Sequence, residues 1–411
     1  MDSLLRPTPA PFPWAEPFLT VGVTGTNGKT STTMLIASCM KAAGHLVASE
    51  TTIGYEYDGQ KQESSGKLGG FYDALRQAAE RGCRHAAIEV TSEALAQGYA
   101  KRWRFDVGVF TNLTRDHFES HRTGEHYLAS KAQLFVHLGP GRTAVLNACD
   151  PSATLIDRVT PPDVLRIWYA VASRGTLLCA ADLAATQVEV SSEGTCIKLA
   201  PGPLAETLGG ELRTRLIGEI FAENVLAAAA ASLAAGLPGP QVAEGLAHFP
   251  GVPGRFEVIG RSPLVAVDFA HTPDALARTC DTARKLAGSK RVLIVFGAGG
   301  KFDPPKRGPM GRAVGERADE ALITTDNPRD DDPRDIARAV AAGCRQGGRA
   351  RVRLEPDRRK AIEIALSEAR PGDVVVIAGR GHETEQVIGT QRIPFSDVDV
   401  VRELIGASRV P

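Results

Sequence analysis

Three things are scarce in this sequence: an excess of charge of either sign, paired cysteine spacing, and long apolar runs. Its 411 residues carry 48 lysines and arginines against 48 aspartates and glutamates. Such a balance gives no electrostatic reason to expect a nucleic-acid or membrane partner. The seven cysteines (Cys39, Cys83, Cys149, Cys179, Cys196, Cys280, Cys344) are scattered, with no CxxC pair and no tight cysteine–histidine cluster. They read as reduced thiols of a cytosolic protein rather than as disulfides. No uninterrupted apolar run approaches the roughly 18 residues that span a bilayer. The opening, MDSLLRPTPAPFPWAEPF, is broken by prolines and does not read as a secretion signal. Internal repeats and low-complexity tracts are absent as well.

What is present is ordinary soluble composition, 43% hydrophobic and 23% charged. The length exceeds what one core organises, so two domains are expected. After a Pro-rich lead-in (1–20), short apolar strands alternate with amphipathic helices, which argues for a mostly parallel α/β sheet. FLTVGV, HAAIEV, FDVGVFTNL and RTAVLNA read as strands, and TSTTMLIASCMKAAG as a helix stopped by Gly44. The stretch 177–217 changes character: within it TQVEVSSEGTCIKLA alternates around Ser-Glu-Gly and reads as an antiparallel hairpin at the sheet edge. An alanine-rich helix, AENVLAAAAASLAAG, follows. Glycine and proline then concentrate up to VPGRF, placing the boundary between a central domain (21–250) and a C-terminal domain (251–411). LVAVDFA, RVLIVFGAGG, EALITTDNP, VRLEP and DVVVIAGRG form a second α/β series. The fold class is thus α/β, a phosphate-loop central domain with a smaller Rossmann-like domain behind it.

The stretch VGVTGTNGKTSTTML carries the chemistry. In Gly25-Thr26-Asn27-Gly28-Lys29-Thr30 the glycines let backbone N–H groups approach phosphate oxygens, and the following helix aims its positive end at them. Lys29 adds a mobile point charge, and Thr30 offers a hydroxyl to Mg²⁺. The strict G-x-x-x-x-G-K-[ST] pattern is not met, because Val23 stands at its first glycine. The strand-loop-helix context compensates. Glu89 ends a buried strand, at the edge where ligands bind in open α/β sheets, and its carboxylate can complete a Mg²⁺ shell with Thr30. Arg115, Asp116, His117, His121, Glu125, His126 and Lys131 crowd one loop and helix, a ligand-rich composition.

In this order, GVTGTNGKTST, IEVTSEAL, FTNLTRDHFESH, YLASKAQLF, VPGRFEV, DFAHTPDAL, TTDNPRDDDP and AGRGHETEQVIG resemble the motifs of the Mur ligases, over roughly residues 18 to 405. Within that family they look most like the ligases that add the third residue to the peptidoglycan stem peptide. The resemblance implies an ADP-forming ligase in which an acceptor carboxylate attacks the γ-phosphate of ATP and an amine then displaces phosphate from the acyl phosphate. It implies two Mg²⁺ ions, held by Thr30, Glu89, His117 and Lys131, with Lys131 matching a lysine carried as a carbamate. Lys29, Glu89, His117 and Lys131 are thereby the catalytic set. Gly25 to Thr30, Asn224, Arg255, Asp268 and His271 match the nucleotide contacts. Asn224 corresponds to an adenine-reading asparagine, and Arg255 marks the hinge. Ser64, Ser65, Thr91, Ser92 and Gln97 fall at acceptor-binding positions. Asp326, Asn327, Arg329 and Glu383 fall at those of the incoming amine, where an arginine fork suits a carboxylate.

Several positions depart from the family. About twenty residues precede the first strand, so the separate uridine-gripping N-terminal domain is expected to be missing. The usual Ser-Ser-His after the metal glutamate is Thr91-Ser92-Glu93, and Tyr99 stands where an arginine is common. Ser64-Ser65 replaces a threonine pair, and Phe221 an asparagine. Phe302 replaces the arginine that meets a carboxylate of diaminopimelate. The catalytic apparatus is kept while both substrate ends are altered. The expected partners are a small carboxylate acceptor and an amino acid or amine, with no nucleic acid and no membrane, for a monomer in the cytoplasm. Polyglutamate- or cyanophycin-type addition, and a nucleotide-binding regulator without catalysis, stay open as alternatives. The joint presence of Lys29, Thr30, Glu89, His117 and Lys131 speaks against the last.

Overall fold

The computed structural model describes residues 18–62, 68–114, 123–301 and 303–407. The chain divides into two compact units. One comprises Met1–Glu189, Thr195–Arg215 and Glu219–Pro250; the other comprises Val190–Gly194, Leu216–Gly218 and Gly251–Pro411.

In the first unit the described residues form an eleven-stranded sheet. Its strands are β1 (Leu19–Thr24), β2 (Val47–Thr51), β3 (Gly54–Tyr57), β4 (Gln60–Gln62), β5 (His85–Glu89), β6 (Val107–Phe110), β7 (Thr143–Asn147), β8 (Leu165–Val171), β9 (Leu183–Ser191), β10 (Gly194–Leu199) and β11 (Glu211–Thr214). Their order is β11-β10-β9-β8-β7-β6-β1-β5-β2-β3-β4. The centre is parallel: β1 pairs with β5 and β6, β2 with β5, and β7 with β6 and β8. Antiparallel pairs finish the sheet at both edges. The central strands are apolar because helices cover both faces, so neither set of alternating side chains meets water. β9 and β10 lie at the expected edge. β2 and β8 were not expected: β2 carries Ser49, Glu50 and Thr51, and β8 begins with an exposed leucine followed by an arginine.

From β1 the chain runs through α1 (Lys29–Ala42) to β2, and β5 later inserts between them. β6 continues on the other side of β1. The order therefore reverses at β1, and the carboxyl ends of β1, β5 and β6 open onto one crevice. α2 (Ser92–Ala96) follows β5, and α3 (Gly124–Val136) precedes β7. α4 (Glu219–Ala234) is buried at every residue from Phe221 to Ser232. Its alanines leave so little side chain that it packs against both α1 and strands β6 to β8.

The second unit holds β12 (Glu257–Arg261), β13 (Leu264–Asp268), β14 (Val292–Phe296), β15 (Glu320–Ile323), β16 (Arg351–Leu354) and β17 (Val374–Ala378) in the order β12-β13-β17-β14-β15-β16. Only the edge pair β12–β13 is antiparallel. VLIVF and VVVIA are buried throughout, as parallel central strands must be. A separate hairpin, β18 (Glu385–Ile388) and β19 (Gln391–Pro394), follows β17. Among the described residues, no helix is long and apolar enough to cross a membrane.

Candidate active site

The loop between β1 and α1 is shaped by two glycines. Gly25 has φ 149° and Gly28 φ 84°, backbone regions that disfavour other residues. Space agrees: a Cβ on Gly25 would lie 1.9 Å from Thr111 Oγ1, and one on Gly28 2.3 Å from Asn224 Oδ1. The first helical hydrogen bond of α1 runs from Thr32 N to Gly28 O at 2.9 Å. The N–H groups before it have no carbonyl behind them in the helix and point out of its positive end. The loop is braced by the segment after β6. Thr26 N donates to Asn112 O (2.8 Å), Asn27 N to Asn112 Oδ1 (2.9 Å), and Thr111 Oγ1 to Asn27 O (2.7 Å). Thr26 and Thr114 are joined through the Thr26 hydroxyl, which accepts from Thr114 N at 3.0 Å.

Beside this cradle stands a buried carboxylate. Glu89 Oε2 accepts from Thr30 Oγ1 at 2.8 Å, Thr52 N at 3.0 Å and Thr52 Oγ1 at 3.2 Å. Lys29 Nζ lies 3.9 Å from Glu89 Oε1 and donates to Thr26 O at 3.0 Å. A carboxylate and a hydroxyl in contact under a phosphate-shaped loop are hard oxygen donors of the kind Mg²⁺ takes. Lys131, from α3, is 1% exposed. Its Nζ donates to Gly25 O at 2.7 Å and sits 4.1 Å from the centroid of the Tyr127 ring.

In the second unit the carboxyl ends of the parallel strands carry two groups. At the end of β13, Asp268 accepts from Thr279 Oγ1 (2.8 Å) and Ala270 N (3.2 Å). Burial pushes its carboxyl up, opposed by the Thr279 hydrogen bond and the Arg255 charge. The Arg255 guanidinium lies 4.4 Å from the Phe269 ring, and His271 Nδ1 is 2.8 Å from Phe269 O. Beyond β15, Asn327 Nδ2 donates to Glu383 Oε2 at 2.8 Å, and Asn327 Oδ1 accepts from Val387 N at 2.9 Å. Asp326 Oδ1 accepts from Asn327 N at 2.6 Å. Arg329 is left-handed (φ 53°), and its backbone bonds Val387 and Gly389 of the hairpin. Burial raises the Glu383 carboxyl, with the Asn327 amide opposing it.

A phosphate-shaped loop with an adjacent hydroxyl–carboxylate pair narrows the relatives sharply. The sequence matches the Mur ligase middle domain over residues 23–232 and the Mur ligase glutamate ligase domain over residues 254–381. The chain belongs to the Mur ligase family. As a Mur ligase it is an ATP-dependent enzyme that forms amide bonds. It is 40% identical over 395 residues to UDP-N-acetylmuramoyl-L-alanyl-D-glutamate–2,6-diaminopimelate ligase of Solibacter usitatus, covering 93% of this chain and 76% of that protein. A solved structure of a ligase of the same name is 32% identical, with TM-score 0.67, covering 96% of this chain and 80% of that one. Folylpolyglutamate synthase of Mycobacterium tuberculosis shares the fold at 20% identity, with TM-score 0.68, over 97% of this chain and 93% of that one.

The residues singled out in the sequence fall into three sets. Gly25 to Thr30, Glu89, Lys131 and Asn224 converge in the first unit, Asn224 lying buried against Gly28. Asp326, Asn327 and Glu383 converge in the second, with Arg255, Asp268 and His271 grouped at β13. Ser64, Ser65, His117 and Phe302 lie outside the described residues. Thr91 and Ser92 have local tasks: Thr91 Oγ1 caps α2 by accepting from Ala94 N (3.2 Å), and buried Ser92 donates to Glu93 Oε2 (3.2 Å). Gln97 is exposed at the end of α2. Sequence reasoning missed Thr52, Thr111 and Asn112, although Thr111 and Asn112 stand inside the quoted FTNLT. They bear no charge; Thr111 and Asn112 fall inside a segment that reads as strand, and Thr52 follows a strand that the sequence did not reveal.

Proposed function

We propose that this Mur ligase activates a peptide-type carboxylic acid that need not carry a uridine nucleotide, and joins it to an amino acid. The observation that carries the activation half is the 2.8 Å contact between Thr30 and Glu89 beneath the phosphate loop. Thr30 and Glu89 hold one Mg²⁺; His117 and Lys131, the latter as a carbamate, serve the second. When bound, the ions offset the charge that develops on the transferring phosphoryl oxygens. Only the neutral amine of a lysine takes up CO₂. A carbamate at Nζ would replace the lysine's positive charge by one negative charge shared over two oxygens.

In the first step an oxygen of the acceptor carboxylate attacks the γ-phosphorus, the bond to the β–γ bridging oxygen breaks, and ADP leaves. Lys29 and the N–H groups at the head of α1 hold the phosphates in line. In the second step the uncharged amine attacks the acyl carbon, orthophosphate leaves, and the amine proton passes to solvent or to a carboxylate. Asp326, Asn327, Arg329 and Glu383 orient the incoming amino acid, with Asn327 fixing the Glu383 carboxyl. Asn224, Arg255, Asp268 and His271 serve the nucleotide. The changed residues Thr91, Glu93, Tyr99, Ser64 and Ser65 support a changed acceptor, and Phe302 a changed amine. The protein acts as a monomer in the cytoplasm, where ATP is plentiful and its seven cysteines, all unpaired, stay reduced.

A panel assay of orthophosphate release tests this. UDP-N-acetylmuramoyl-L-alanyl-D-glutamate with 2,6-diaminopimelate should turn over poorly, and uridine-free peptide acids with other amino acids better; the opposite ranking defeats the acceptor reading. Lys131→Ala should abolish turnover, with partial recovery on adding bicarbonate and a short carboxylate.

A further inference from the structure

One carboxyl near the crevice has no task in the chemistry above. Glu50 stands on β2, opposite Tyr55 of β3 and beside Ile88 of β5, so these three side chains share a sheet face. Ile88 directly precedes Glu89, and Thr52, two residues beyond Glu50, donates twice to Glu89. Tyr55 Oη donates to Glu50 Oε1 at 3.0 Å. The other oxygen, Oε2, is buried and has no hydrogen-bond partner among the described residues. Tyr57 and Tyr99 lie close enough to feel the Glu50 charge, and Tyr55, Tyr57 and Tyr99 all belong to or pack on the apolar cluster around Phe71 and Ile88. A core position of purely structural use would be better filled by an apolar residue, since a buried carboxyl with an idle oxygen is costly.

We infer that Glu50 is a specificity residue for the acceptor, its carboxyl donating a hydrogen bond from Oε2 to a carbonyl or second carboxylate oxygen of the acid that enters beside Glu89. The inference rests on the reading that a carboxylate acceptor reaches the phosphate loop along this edge. Position supports it: an acid whose reacting group lies at Glu89 and Lys29, and whose body extends over the ends of β5 and β2, passes Glu50. Protonation supports it too. Burial lifts this carboxyl to about 8, Glu89 adding to the effect and the Tyr55 hydrogen bond opposing it. With Oε1 accepting from Tyr55, the proton belongs on Oε2, which is then a donor. The residue as a whole is half-buried rather than fully enclosed. The acceptor class selected is an acid with a further oxygen-bearing group near the reacting carboxylate, as in a peptide ending in a dicarboxylic residue.

Steady-state kinetics of the full chain with Glu50→Gln and Glu50→Leu provide the test, using UDP-N-acetylmuramoyl-L-alanyl-D-glutamate and L-alanyl-D-glutamate as acceptor probes. Glutamine keeps a neutral donor, whereas leucine keeps only volume. Glu50→Leu should raise KM for the acceptor about tenfold, and Glu50→Gln no more than about threefold, with KM for ATP steady in both. Equal acceptor KM in all three proteins overturns the role of Glu50 alone. Equal loss in both variants overturns the donor and marks the carboxylate as a cation site instead. A wild type inert towards both acids while holding ADP removes the acceptor reading and this role with it.

Discussion

Replacing Gly28 by alanine tests the phosphate loop and the helix behind it together. Two costs add. Alanine at φ 84° is left-handed, which costs about 1–2 kcal/mol. Its Cβ would also sit 2.3 Å from Asn224 Oδ1, whereas ordinary contact begins near 3.4 Å, so the amide must retreat by about 1 Å. Asn224 is 3% exposed on a helix buried from Phe221 to Ser232, so there is little room to retreat. Overpacking of this kind costs about 1–3 kcal/mol. Gly28→Ala alone should therefore destabilise the first unit by about 2–5 kcal/mol, but by only about 1–2 kcal/mol when Asn224 is already alanine. Among the described residues both tryptophans, Trp103 and Trp168, lie in that unit. Urea unfolding followed by tryptophan fluorescence thus reads the unit that carries the change. Calorimetric titration with ADP on the same four proteins should show weaker binding wherever Gly28 is replaced, because its N–H turns away from the phosphates. If Gly28→Ala costs the same in both backgrounds within about 0.5 kcal/mol, the sites do not couple, and the packing of Asn224 on the loop is wrong.

Two further outcomes are expected. Asn327→Ala takes from Val387 N–H its side-chain acceptor and from the Glu383 carboxyl one partner, with Arg380 still 3.6 Å away, a loss of about 1–3 kcal/mol; KM for the amino acid should rise several-fold, up to about tenfold, with KM for ATP unchanged, and a change confined to ATP would reject Asn327 as part of the amine site. For pH, burial lifts Glu50 from 4.5 to about 8, so the folded chain holds that proton more tightly than the unfolded chain. Its contribution is complete below pH 4.5, shrinks as pH rises and is gone above about 8. Thermal melts across that window should show the wild type losing stability relative to Glu50→Gln; parallel curves would mean that Glu50 ionises normally.

The sequence alone determined the local pieces. A glycine-rich turn between an apolar strand and a helix has one compact solution, so Gly25, Gly28, Lys29 and Thr30 could be read as a phosphate cradle without coordinates. Apolar runs such as VLIVF and VVVIA could be read as buried parallel strands for a similarly local reason: only helices on both faces dispose of such side chains. What the tertiary structure decided is which strand ends are neighbours. Glu89 meets Thr30 because β5 inserts beside β1, and Thr52 reaches Glu89 because β2 lies beyond β5. Asn112 braces the loop because β6 takes the other flank. Sheet order is a property of crossovers between segments far apart in the chain, and no spacing encodes it. The same holds for Glu50. In the sequence it is one polar residue in an otherwise plain stretch, and only the pairing of β2 with β5 and β3 buries it near Glu89 with an oxygen unused among the described residues.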